Sequence, residues 1–404
     1  MFSSRFHWDS RPNRLTQLLA DKRRDGVRIL DLTESNPTRA GLRYPLEIVE
    51  AFRDPRMLAY EPLPAGALEP REAVSAYYAA RGHAVPPGRL LLTASTSEAY
   101  AYLFKLLADP GDEILVPRPS YPLFEFLANL ESLQVRQYRL AYDSGWSIDL
   151  EALAAELTPR TRAIVLVNPN NPTGSYLKRT ELDALVQLCA ERSIALIADE
   201  VFSDYAFTTD PDRVTTLANV EGCLAFSMSG LSKVAGLPQM KLGWIVAPAA
   251  AIEKLEWIAD TYLSVSTPVQ CAAARLLKLG GEVQTQIRER TAANLAHARA
   301  ALAGSAAGIL AVEGGWYITL QVPRVRSEEE WCLELLGREN VLVQPGFFYD
   351  FEAEAFLVVS LLTEPVVFEE GIARLKNMAT DEHRLDLPPF LRQTVKTQIP
   401  LNGE

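Results

Sequence analysis

Short, almost wholly apolar runs recur through the middle of the chain: Arg89–Thr93 (RLLLT), Glu113–Val116 (EILV), Ala163–Val167 (AIVLV), Ile194–Ala198 (IALIA), Cys223–Ser227 and Leu242–Ala247. They do not alternate apolar with polar, which suits strands covered on both faces. Glu98–Ala108 and Lys178–Arg192 between them read as helices. Strands alternating with helices predict an α/β fold built on a mostly parallel sheet. Past this region the rhythm changes: a long helical stretch (Val283–Ala303), a strand at Trp316–Val322, a helix at Ser327–Gly337, and short β runs at Val341–Val343 and Phe356–Leu361. These predict a smaller α+β domain. The expected division is 1–49, an N-terminal segment packing with the small domain; 50–275, the large domain; and 276–404, the small C-terminal domain.

Length and composition agree with this picture. With 404 residues, 48% hydrophobic and 23% charged, the chain can bury a large core without staples. A net charge of -11 gives it no electrostatic reason to seek nucleic acid or anionic membrane. The basic cluster Lys22-Arg23-Arg24 sits between Asp21 and Asp25 and reads as a solvated helix face. Cys189, Cys223, Cys271 and Cys332 are scattered, as are His7, His83, His297 and His383, so neither a disulfide framework nor a metal site is expected. No apolar run is long enough to span a bilayer and the N-terminus lacks the apolar core of a signal peptide, so a cytoplasmic protein is expected.

In open α/β sheets ligands bind at the carboxyl ends of the strands. After RLLLT comes Ala94-Ser95-Thr96-Ser97-Glu98. Ser95 and Glu98 fit a capping box, and a helix starting there would offer free N–H groups to an anion; Ser95 could equally serve only as a cap. After AIVLV comes the rigid turn Asn168–Gly174, after IALIA come Asp199 and Glu200, and after Cys223–Ser227 comes a small polar loop ending in Lys233. A desolvated lysine there suits Schiff-base chemistry, a solvated one would be a surface residue.

Order and spacing of TASTSEA (93–99), PRPSYP (117–122), NPNNPTG (168–174), DE (199–200), SGLSK (229–233) and QPG (344–346), with LPAGALEPREA (63–73) before them, resemble the class I/II aminotransferases, fold-type I enzymes dependent on pyridoxal 5'-phosphate (PLP). The resemblance covers nearly the whole chain. It implies a large PLP-binding domain and amino-group transfer between an amino donor and a keto or aldehyde acceptor, through a Schiff base on Lys233. Asp199 would pair with the cofactor's ring nitrogen, Asn171 would donate to its ring oxygen, and Tyr121 would stack on the ring. Ser95, Thr96 and Ser97 would receive the phosphate, with Ser232 nearby. Tyr60 matches a tyrosine that reaches a neighbouring subunit's phosphate, which implies a homodimer acting on a small amine or amino acid.

Three positions depart from the family pattern. Phe202 stands where a tyrosine usually donates to the ring oxygen. Lys241 stands where an arginine usually clamps the phosphate, and supplies a point charge without the fork. Val358 stands where an arginine usually holds the substrate carboxylate, and no arginine occurs between Arg338 and Arg374. Three readings stay open: a substrate without an α-carboxylate, a replacement cation such as Arg39 or Arg43, or chemistry other than transamination. Other PLP reactions (elimination, replacement, decarboxylation) and a non-catalytic binding or regulatory role are the alternative functions.

Overall fold

The apolar runs fold as strands. In chain order the strands are β1 (Leu30–Asp31), β2 (Leu90–Thr93), β3 (Glu113–Arg118), β4 (Gln134–Tyr142), β5 (Trp146–Ile148), β6 (Thr161–Val167), β7 (Ala195–Asp199), β8 (Ala225–Gly230), β9 (Gly243–Val246), β10 (Gly308–Ile309), β11 (Tyr317–Gln321), β12 (Val341–Leu342), β13 (Gln344–Pro345) and β14 (Phe356–Ser360). These come from a computed structural model that describes residues 2–3, 5 and 11–380. Residues 1, 4 and 6–10 of the expected N-terminal segment, and 381–404 of the expected small domain, lie outside the described residues.

Eight strands form one sheet in the order β2-β9-β8-β7-β6-β3-β4-β5. The pairs β4–β3, β3–β6, β6–β7 and β7–β8 are parallel. β9 runs antiparallel between β8 and β2, and β5 closes the far edge antiparallel to β4. Successive residues of one strand enter different cores, because side chains alternate across a sheet. Ile114, Val165, Ile197, Met228 and Ile245 pack on the face covered by helices Thr96–Leu107 and Ala249–Tyr262. Leu115, Ile164, Leu166, Leu196 and Ala198 pack on the other face with helix Arg179–Arg192. Both faces are buried, which is why the strands read as continuous apolar runs.

A second sheet, β10-β11-β14-β13, is antiparallel throughout. Its core holds Ile318, Leu320, Leu357 and Val359 with Trp331, Phe368 and Ile372 from helices Glu328–Glu339 and Pro365–Thr380. β1 pairs with β12, which carries Leu30 and Leu32 into this same core. The helix expected from Val283 begins at Thr267 and runs to Leu302. Gly280 lies inside it: a Cβ there would meet the Ala235 Cβ at 2.3 Å, so the glycine lets the helix pass close behind the chain that follows Lys233. Among the described residues no helix is long and apolar enough to cross a membrane.

Candidate active site

β6, β7 and β8 are adjacent and parallel, so the segments that leave their carboxyl ends emerge along one edge. β2 is antiparallel to β9, which is antiparallel to β8, so the Ala94–Ser95 turn leaves from that edge too. The topology thus places Asn168–Gly174, Asp199, Lys233 and Ser95–Ser97 in one neighbourhood.

The asparagines of the first segment divide their work. Asn168 donates to the Val214 carbonyl (2.7 Å) and accepts from the Leu177 amide (3.0 Å). Asn170 donates to the Pro119 carbonyl and the Thr173 hydroxyl (both 2.9 Å) and accepts from Ser120 (3.0 Å). These two bind the turn to its surroundings. Asn171 is 7% exposed, and its side-chain oxygen has no partner. The amide's two ends exchange by rotation, so the open end can donate as well as accept. A buried amide left open is costly unless something else fills it.

Asp199 accepts from the Tyr100 hydroxyl and the Val201 amide (both 3.2 Å). Burial nevertheless pushes its carboxyl up to about 6, against the pull of those bonds and of Lys233. Burial likewise pushes the Lys233 amine down to about 8, with Asp199 opposing. Two effects thus act on each group, and desolvation wins in both. The amine lies 4.7 Å from the Trp316 ring centroid and 5.7 Å from that of Phe202. The Tyr205 hydroxyl donates to the Lys233 carbonyl, fixing the backbone of the short helix Leu231–Val234. That bond commits Tyr205 to the backbone, so it does not replace the hydroxyl that Phe202 lacks.

At the other end of the neighbourhood, Ser95 caps helix Thr96–Leu107 by accepting from the Glu98 amide (3.2 Å). The expected box is only half formed: Glu98 reaches the Ala94 amide (2.7 Å) rather than that of Ser95. Gly243 faces this turn, and a Cβ there would meet Thr93 Oγ1 at 2.9 Å and the Ser229 carbonyl at 3.2 Å. Ser229 is buried and its hydroxyl has no partner. The N-terminus of this 12-residue helix suits an anion. Ser229 was not singled out from the sequence, although it opens the SGLSK motif; Tyr100 and Trp316 had no signal at all, one lying inside a helix and the other ahead of a small-domain strand.

The remaining expected residues are placed as follows. Tyr121 is 46% exposed and feels the Asp199 charge, which with burial raises its hydroxyl. Ser232 is half-buried in the short helix that carries Lys233. Lys241 is exposed, in left-handed backbone (φ +52°) after the turn Pro238–Met240. Tyr60 is 75% exposed in this single chain. Arg39 and Arg43 are exposed, and the Arg43 amide is held by Gln286 of the long helix. Val358 is fully buried in β14. Among the described residues no group of three or more His, Cys, Asp or Glu is placed to hold a metal ion.

The Lys233 environment has a measurable consequence for the ligand-free protein. Its folded value near 8 lies below its ordinary 10.5, so the unfolded chain binds that proton more tightly between the two. Stability from this residue therefore rises as pH rises through that window. The melting temperature of wild type, relative to Lys233→Met, is expected to climb from pH 8 to 10.5. Parallel profiles would show the amine to be solvated.

The aminotransferase class I and II family model matches residues 27–375. Glutamate-pyruvate aminotransferase AlaA of Escherichia coli K12 is 31% identical over 257 residues, which is 61% of this chain and 63% of the relative, so the match to that relative spans less than two thirds of its length. AlaA of Haemophilus influenzae is 27% identical over 379 residues, 88% of this chain and 92% of its own. In fold, an aminotransferase from Escherichia coli superposes with a TM-score of 0.82 at 24% identity, covering 95% of this chain and 99% of that one. Alanine aminotransferase from Pyrococcus furiosus superposes at 0.82 and 23%, covering 94% and 100%. With its sheet order, its small antiparallel sheet and a family match over most of its length, this chain belongs to the class I and II aminotransferases, a family dependent on pyridoxal phosphate.

Proposed function

We propose that this protein is a PLP-dependent aminotransferase that moves an amino group between a small amine or amino acid and a keto or aldehyde acceptor. The observation that carries the reading is the opposition of the half-buried Lys233 and Asp199 past the ends of two parallel strands, with the partnerless amide of Asn171 in the segment that leaves the next strand.

The residues present fit the cofactor. Two features of the chain are costly alone and are resolved by a cationic heterocycle: the desolvated carboxylate of Asp199 and the partnerless Asn171 amide. Asp199 would face the protonated ring nitrogen, Asn171 would donate to the ring oxygen and Tyr121 would flank the ring. Ser95, Thr96 and Ser97, with Ser232 and Lys241 beyond them, would hold the phosphate, where the helix end supplies N–H groups and favourable charge. PLP, when bound, draws electrons from the carbon that carries the amino group.

Lys233 would hold the cofactor covalently, then carry a proton at that carbon. Its lowered value suits both tasks, since a useful share of the amine is neutral near pH 8. Trp316 and Phe202, both buried, shield it from water. Phe202 donates no hydrogen bond to the ring oxygen, which leaves Asn171 as the donor there. A homodimer belongs to the same proposal: Leu58, Tyr60, Leu63 and Leu68 are large, apolar and exposed on the single chain.

The test is a single-turnover coenzyme assay. Protein loaded with PLP is given pooled amino acids, then pooled amines, and the coenzyme is followed by mass. Conversion to pyridoxamine phosphate is expected. Consumption of a donor with the coenzyme unchanged would replace transamination by another reaction.

A further inference from the structure

Lys233 stands on a helix of four residues, Leu231–Val234, too short to hold its own shape. The carbonyls at the end of such a helix need donors from elsewhere. Three side chains from three parts of the chain supply them. Tyr205, from the segment that follows Asp199, donates to the Lys233 carbonyl. Gln284, from the helix Thr267–Leu302, donates to the Val234 carbonyl (2.7 Å). Tyr44, from the N-terminal segment, donates to the Gly236 carbonyl (2.8 Å). Gly236 has left-handed backbone (φ +63°), and a Cβ there would meet Val283 Cγ1 at 2.7 Å, so the long helix lies directly against this turn.

Gln284 is the bridge in this arrangement. Its side-chain nitrogen carries two hydrogens, and besides the Val234 carbonyl it donates to Asp204 Oδ2 (2.9 Å). Asp204 is itself held: its side chain is 5% exposed, the Tyr77 hydroxyl donates to it at 2.9 Å and Arg81 Nε at 2.6 Å. Arg288 Nε donates to the Asp204 backbone carbonyl (2.9 Å). One amide thus ties the chain that follows Asp199 to the chain that follows Lys233.

Packing alone does not call for a glutamine. Gln284 is 7% exposed, and Val283 and Ile287 of the same helix lie in an apolar cluster with Phe202, Tyr205 and Trp316. A methionine of like length would fill that space without desolvating an amide. What the glutamine adds is its pair of directed bonds.

We propose that Gln284 and Tyr205 are positioning residues for Lys233: their bonds to the Val234 and Lys233 carbonyls fix the stem from which the amine is set against Asp199. Their bearing on catalysis rests on the proposed aminotransferase reading; their bearing on the amine does not.

The test uses the full chain without cofactor. Competitive acetylation with acetic anhydride over a range of pH, followed by peptide mass analysis, gives the titration midpoint of each lysine. In wild type the Lys233 midpoint is expected near 8, set by desolvation against the charge of Asp199. Gln284→Met keeps the length and removes both donors. Tyr205→Phe keeps the ring on Trp316 (centroids 5.2 Å apart) and removes the hydroxyl. In each variant the amine is freer to reach water, and its midpoint is expected to rise toward 10.5 while the other lysines stay as they were. Asn294→Leu is the control: it removes two bonds from the same helix to the Leu361 and Thr363 carbonyls (both 2.8 Å), and is expected to lower Tm with the Lys233 midpoint unmoved. On the PLP-loaded protein, kcat is expected to fall about tenfold in Gln284→Met and Tyr205→Phe. If Gln284→Met does not fold, Tyr205→Phe decides. A midpoint unmoved in the folded variants, one that moves as far in Asn294→Leu, or a moved midpoint with kcat unchanged overturns the inference. A wild type that takes up no PLP removes the aminotransferase reading, and the midpoints, taken without PLP, still decide how the amine is held.

Discussion

Replacing Lys233 with alanine is expected to abolish amino-group transfer and to leave PLP removable by dialysis. Lys233 is set against Asp199, beside the aromatic rings of Trp316 and Phe202. Its desolvation lowers the cost of the neutral form, which is the form able to add to an aldehyde. Alanine removes the covalent tether and the proton carrier together, while Asp199, Asn171 and the helix end persist. The variant should still bind PLP, but reversibly. Borohydride reduction followed by peptide mass analysis separates the outcomes. Wild type should carry the cofactor's mass on the peptide containing Lys233, and the variant should carry none. A reduced adduct on another lysine, with turnover retained, would sink the assignment.

How much of this could be read from the sequence depended on where each residue sits. β3, β6 and β7 were legible because both their faces are covered, so their central positions are apolar, and β8, with Ser227 and Ser229 among its residues, was legible only in part. β4 was not: Gln134, Arg136, Gln137 and Arg139 interrupt its apolar positions near the sheet edge, and β5 beyond it is three residues long. Asn171, Asp199 and Lys233 stand at strand ends, where chain order and a ligand's position coincide. Tyr100 reaches Asp199 from within a helix, and Ser229 is the last side chain of its strand before Gly230; neither position marks its residue as different from a core polar group.

Asp199→Asn is expected to lower kcat/KM by about a hundred- to a thousandfold while raising the stability of the cofactor-free protein. The amide keeps the shape of the carboxylate and removes its charge. Breaking a buried ion pair by neutralising one partner typically costs about 3–5 kcal/mol, and each 1.36 kcal/mol lost only in the transition state is about tenfold in rate. In the cofactor-free protein the balance reverses. Asp199 has a folded value near 6, above its ordinary 3.8, so its contribution to stability is present at acid pH and is lost as pH rises through about 6. At pH 7 the ionised group therefore weighs against folding, and asparagine relieves that weight: its one side-chain oxygen can accept from the Val201 amide while its NH2 donates to the Tyr100 hydroxyl oxygen. The paired measurement is kcat/KM of the loaded enzyme and Tm of the empty one at pH 5 and pH 7.5. Opposite signs, with the gain in Tm larger at the higher pH, are the signature of a carboxylate kept for an incoming cation. A variant within threefold of wild type in kcat/KM would mean that Asp199 faces no charge during the reaction. A variant less stable at both pH values would mean that Asp199 serves the fold instead.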